Sequence, residues 1–260
     1  MASYTHFYLL RIQFLGYRYS GWQKQDGRKT IQGMLDKTVE FILGHGNFRT
    51  LGAGRTDAKV SAEDFCLELF LFGEVEKVEF LQQLNQNLPS DIRVLSILDV
   101  DRKFNVLLDA KTKDYHYHFT FGEKYHPSNA PYLAYLGEQL DIDLMMETAS
   151  IYLGTHNFKR FAGGPLKESK NYERTILSSE IVPSKEIYSA YPPSNSFIYK
   201  VRAKGFMRYQ VRLMMGALEQ LGKHEINLEE FKDYLNSPDK PNVKNVVPGS
   251  GLRLNKVEFI

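Results

Sequence analysis

Hydrophobic and polar positions follow two periods along this chain, and the switches between them mark its elements. HFYLLRIQF is a short aromatic and aliphatic run of strand length, followed by a polar, glycine-containing stretch, GYRYSGWQKQDGRK. From Thr30 the spacing becomes helical, with Ile31, Met34, Leu35, Thr38, Val39 and Ile42 on one face and Gly44 and Gly46 as stop signals. A glycine-rich turn, LGAGRTDAKVSA, leads into the strand-like FCLELFLF. A helix is predicted over VEFLQQLNQNL, ended by Pro89, and a strand over RVLSILDV.

The later sequence repeats this order without repeating residues. KDYHYHFTF alternates as a half-exposed strand, a helix is predicted from Asp143 to Leu153, and RTILSSEIV and FIYKVRAKGF read as strands. Arg208 to Gly222 is predicted as a helix, with Val211, Met214, Met215, Leu218 and Leu221 on one face, and LRLNKVEFI closes the chain as a strand. Residues 122–142, rich in Pro, Tyr and Gly, read as a long connecting loop. Helices and strands do not alternate strictly. The order therefore fits two α+β halves, residues 1–107 and 108–260, better than a doubly wound parallel sheet.

The 43% hydrophobic fraction supports folded cores and argues against disorder. No apolar run approaches the roughly 20 residues that span a bilayer, and MASYTHFYLL lacks the marks of a signal peptide. A soluble, cytoplasmic protein is expected. The single cysteine, Cys66, forms no internal disulfide and reads as a buried filler; neither CxxC nor HExxH is present, so no zinc site is expected. The net charge of +2 conceals an uneven distribution. Residues 1–60 hold nine Lys/Arg against four Asp/Glu, residues 61–110 four against ten, and residues 155–223 twelve against five. Two basic segments flanking an acidic one suit either a phosphate-binding face or an unevenly charged surface.

Gly52-Ala53-Gly54-Arg55-Thr56-Asp57-Ala58 is the most unusual segment, since its glycines permit a tight turn that presents three polar side chains together. It lacks the GK[ST] ending of a phosphate-binding loop, which excludes that reading. Pattern alone leaves Asp57 open, as a structural turn residue or as a catalytic acid held at a cleft.

The same segment, GAGRTDAKVSA, resembles the GRTDAGVHA signature around the catalytic aspartate of the tRNA pseudouridine synthase A (TruA) family, and further landmarks follow in order. Gly21-Trp22-Gln23-Lys24-Gln25 and Thr30-Ile31-Gln32 resemble its GWQxQ segment and TVQ helix start. Lys113-Asp114-Tyr115-His116-Tyr117 is similar to its RxYxY strand, and Gly154-Thr155-His156-Asn157-Phe158 with Phe161 to GxHDFxxF. Arg174-Thr175-Ile176 matches an RTI strand start. Gly205-Phe206-Met207 with Val211-Arg212 and Gly216 resembles GFLxxxVRxxxG, and Gly251-Leu252 with Leu254 resembles GLxL.

The resemblance implies two ferredoxin-like, RRM-like α+β halves whose antiparallel sheets join around a central cleft, the pseudouridine synthase fold. It also implies an isomerase of tRNA uridines, working as a homodimer and needing no metal or other cofactor. In that chemistry an aspartate attacks the nucleotide, the base is released from the ribose, turns and rejoins through C5. Asp57 takes the nucleophile's role, Arg212 holds the carboxylate charged and oriented, and Tyr115 stacks on the base and helps remove the C5 proton. Without the resemblance, Arg212 reads as a partly buried ion-pair member, Tyr115 as a packing aromatic and Trp22 as core.

Thr56 and Lys59, in and beside the turn, are candidate RNA-binding residues. Basic candidates for RNA phosphates are Arg18, Lys24, Arg28, Lys29 and Arg55 in the first half and Lys159, Arg160, Lys167, Lys170, Lys204 and Arg208 in the second; Arg55 and Arg208 lie beside the implied chemistry. The chain departs from the family pattern at Lys59, usually Gly, and Ser61, usually His. Asn157 stands for Asp, Tyr209-Gln210 for a His-containing pair, and Arg253 for Tyr. The departures around residue 59 suit the same chemistry on a different RNA. A second class of function, a non-catalytic RNA-binding protein on the same fold, needs no Asp57 and Arg212 together.

Overall fold

A computed structural model describes residues 4–166, 169, 171–187 and 189–259. The chain packs as two units. One comprises Met1–Lys111 and Leu254–Ile260, and the other Thr112–Arg253.

In the first unit β1 (His6–Phe14) lies between β3 (Ser61–Leu71) and β4 (Ile92–Asp99), antiparallel to both. Strand β2 (Phe48–Gly52) pairs antiparallel with the end of β3, and β10 (Leu252–Glu258) follows β3 in strand order. Tyr8, Leu9, Leu10, Ile12 and Phe14 on β1 are buried, and β3 is buried on both faces from Phe65 to Leu69. Helix α1 (Ile31–Leu43) starts where Thr30 Oγ1 accepts the Gly33 N–H at 3.2 Å and stops at Gly44, whose φ of +73° suits glycine. Helix α2 (Lys77–Asn87) is capped by Glu76 and ends ahead of Pro89. Cys66 is fully buried, and burial pushes its thiol up to about 12, so it is an inert core residue.

In the second unit the strand order is β5 (Thr112–Thr120), β9 (Phe197–Ala203), β8 (Glu173–Pro183), β7 (Gly154–Asn157), all neighbours antiparallel. A two-residue strand, β6 (Ala134–Tyr135), runs parallel to β5 inside the expected loop. The helix predicted to Leu153 is shorter: α3 (Ile142–Thr148) tightens into a 3-10 turn at Ala149–Tyr152. Helix α4 (Gln210–Gly222) is buried nearly all round, and α5 (Leu228–Asn236) follows, opened by a capping box between Asn227 and Glu230. The mixed, largely antiparallel architecture of each unit is the expected α+β class. Among the described residues no helix is long and apolar enough to cross a membrane.

Candidate functional site

The turn that carries Asp57 leaves β2 at Gly52 and rejoins the sheet at Ser61, and the stretch from Gly16 to Trp22 clasps it. The Trp22 N–H donates to the Thr56 carbonyl at 3.2 Å and the Lys59 N–H to the Tyr19 carbonyl at 3.0 Å. Inside the turn, the Val60 N–H donates to the Asp57 carbonyl at 3.2 Å. Close approach explains two glycines. A Cβ on Gly16 would overlap the Val60 carbonyl oxygen, and one on Gly21, whose φ is +94°, would lie 2.5 Å from the Thr56 carbonyl oxygen. The same stretch continues into α1, with the Ile31 N–H donating to the Gly21 carbonyl at 3.1 Å and the Gln32 N–H to the Trp22 carbonyl at 2.9 Å. Trp22 is 2% exposed and packs against Phe65 with ring centroids 4.2 Å apart and the rings tilted by 31°, so it is core.

Asp57 is therefore half-buried on a backbone that both α1 and the sheet hold in place. Thr56 beside it is buried, and its hydroxyl has no hydrogen-bond partner among the described residues. A buried hydroxyl without a protein partner costs free energy unless water or another polar group completes it. Arg55 is exposed, and its Nη1 donates to Gln23 Oε1 at 3.4 Å.

In the second unit Tyr115 stands half-buried on β5, and Phe206 meets its ring edge-to-face at 5.3 Å. Arg212, also half-buried, projects from the first turn of α4 and donates from Nε to the Val247 carbonyl at 2.7 Å. Further along α4, Asn245 Nδ2 donates to the Gly216 carbonyl at 3.1 Å and to Glu219 Oε2 at 2.8 Å. The segment 243–248 is thus tied to the same helix that carries Arg212. Arg208 and Arg212 both place their guanidinium groups over the ring of Tyr209, at 4.7 and 5.2 Å. Lys113, on the same face of β5 as Tyr115, is held below the ordinary lysine range by burial.

Comparison with known proteins bears on what these residues serve. A family model described as tRNA pseudouridine synthase matches residues 148–259. The tRNA pseudouridine synthase A of Mesoplasma florum is 32% identical over 254 residues, covering 97% of this chain and 98% of that protein. The chain belongs to the tRNA pseudouridine synthase A family. The synthase of Thermodesulfovibrio yellowstonii is 30% identical over 256 residues, with 96% and 98% coverage, and that of Clostridium kluyveri 30% over 252 residues, with the same coverage.

Against the family pattern, the departures acquire local reasons. Lys59 holds a φ of +67°, the left-handed conformation that the usual glycine adopts freely, and its ammonium lies 5.4 Å from the centre of the exposed Tyr17 ring. The turn thus keeps a glycine-type backbone while gaining a cation. Ser61 Oγ accepts the Gly16 N–H at 2.9 Å, and Asn157 Oδ1 the Lys159 N–H at 3.0 Å, so both replacements serve the backbone.

Ion pairing sorts the basic candidates. Lys24 pairs with Asp36 at 2.7 Å, Arg18 with Asp91 at 2.7 Å, Lys159 with Asp239 at 2.7 Å and the buried Arg160 with Asp233 at 3.0 Å. Arg28, Lys29, Arg55, Lys59, Lys204 and Arg208 have no acid partner among the described residues, and all are exposed. Lys167 and Lys170 lie outside the described residues. The contact of Tyr209 with two arginines has no signal in the sequence beyond the departure from the family pattern. Phe206 was visible only as part of a motif.

Proposed function

We propose that this chain acts as its family does, isomerising uridines of tRNA to pseudouridine, and that Asp57 is the nucleophile. The observation that carries the reading is the clasped turn itself. The family signature sits on a backbone held by Gly21, Trp22 and Tyr19, with the buried Thr56 preceding Asp57 in the chain. Rigid presentation of that kind suits covalent attack, where misplacement of the reacting atoms is costly. Tyr115 stacks on the extruded base and takes part in removal of the C5 proton, and Arg212 supplies the positive charge that the chemistry uses. No step of this isomerisation calls for a metal, a nucleotide or a redox cofactor. Thr56 binds the target nucleotide. Arg55, Lys59 and Arg208 bind phosphate, and Lys24 contributes only if it gives up Asp36.

The proposed substrate region is the anticodon arm, and the proposed working form is a cytoplasmic homodimer. Mapping pseudouridines in cellular RNA with and without the gene tests the substrate. Loss within the anticodon arm of tRNA is expected; loss confined to other RNA would shift the assignment toward the specificity change suggested by Lys59 and Ser61. Light scattering should return twice the 30.0 kDa chain mass, and a monomer active on tRNA would contradict the dimer.

A further inference from the structure

Tyr209 opens α4 in a conformation that a bulky side chain disfavours, with φ of 63° and ψ of −1°. Its side chain makes no cap hydrogen bond, so helix initiation gives no reason for a tyrosine there. The ring serves two cations instead. The guanidinium carbon of Arg208 lies 4.7 Å from its centre and that of Arg212 5.2 Å, and Arg208 Nη2 donates to the Tyr209 hydroxyl at 3.0 Å. The ring is also wedged from behind. A Cβ on Gly163 would overlap Tyr209 Cδ2, and the Gly163 N–H donates to the Arg208 carbonyl at 2.8 Å. Backbone strain at a ring packed closely against Gly163 is a pattern found at functional sites.

We propose that Tyr209 is a positioning residue for Arg212 and links it to Arg208. The Val247 carbonyl holds Nε of Arg212 at 2.7 Å, and the Tyr209 ring attracts its guanidinium from 5.2 Å. Because Arg208 shares the ring and carries no acid partner among the described residues, a phosphate bound at Arg208 bears on the element that aims Arg212. This role rests on the reading of Arg212 as the arginine of the chemistry.

Steady-state kinetics on tRNA carrying 5-tritiated uridine separate the possibilities. Tyr209→Phe keeps the ring and should keep most of kcat. Tyr209→Gly removes the ring and relieves the left-handed strain, so it should lower kcat by about tenfold or more, with a smaller change in KM and an unchanged or higher melting temperature. A glycine variant with the parent kcat overturns the proposal, as does a phenylalanine variant that falls as far as the glycine one. Should Tyr209→Gly not fold, Gly163→Ala displaces the ring and is expected to lower kcat; unchanged kcat there also overturns it. An Arg212→Ala enzyme with full kcat would remove the underlying reading of Arg212. An inactive Arg212→Ala beside a fully active Tyr209→Gly would remove only the role of Tyr209.

Discussion

Gly21 shows how a residue remote in sequence holds Asp57 in place. Its positive φ and its contact with the Thr56 carbonyl leave no room for a side chain, so Gly21→Ala should destabilise the protein by about 1–3 kcal/mol and lower kcat. Denaturant unfolding and tritium release would check both; a variant with unchanged stability and rate would contradict the clasp. Glu68 makes a different kind of prediction. It is 1% exposed, one carboxylate oxygen has no partner among the described residues, and burial raises its pKa above the ordinary 4.5, against the opposing Val106 N–H and Arg49 charge. Folding favours the protonated form, so the stability it contributes is fully present below the unfolded value and is lost as pH rises through the raised folded value. Relative to Glu68→Gln, the wild type should lose unfolding free energy as pH climbs from about 4 toward neutrality. A difference independent of pH would contradict this. At this scale the acidic turn was legible in its glycines and polar triplet. The need for Gly21 and the strain at Tyr209 were not, because a dihedral forced by tertiary contact leaves no mark on local pattern.

Among the elements, those with a long apolar stripe were legible. Helix α1 begins and ends where Thr30 and Gly44 signalled, and α4 differs from its predicted start only because Tyr209 leaves the helical region. Helix α5 went unpredicted because it buries only Phe231 and Leu235, too few positions to set a period, with its capping box as a further signal. Strand β2 is one of the short extra strands that the sequence allows around the glycine-rich turn, whereas β7, Gly-Thr-His-Asn, has no apolar alternation; both are strands because a neighbour offers a ladder. The lacing of α4 to segment 243–248 yields a test. A Cβ on Gly216 would overlap the Asn245 carbonyl oxygen, so Gly216→Ala should push the segment away, lower the melting temperature and, through the Val247 contact of Arg212, lower kcat. A stable variant with the parent kcat would show that Arg212 does not depend on this segment.

For the molecule as a whole, the sequence suggested a division at residues 107–108, while the packing returns Leu254–Ile260 to the first unit. Linear order cannot show a terminal strand going back to an earlier sheet edge. Charge behaves similarly: a net +2 hides basic side chains that, among the described residues, have no acid partner in either unit. If Arg55 and Arg208 contact phosphate, replacing either with Ala should reduce the slope of log affinity against log salt by about one, whereas Lys24→Ala, whose cation is paired with Asp36, should reduce it less. Filter binding across a salt series would check this, and equal slopes for all three variants would contradict it. The central claim is that one carboxylate on the clasped turn performs the chemistry. Its most direct measurement is tritium release from 5-tritiated uridine in tRNA by the wild type and by Asp57→Asn. The account predicts release by the wild type and none by the variant, with tRNA binding retained; equal release by both would contradict it.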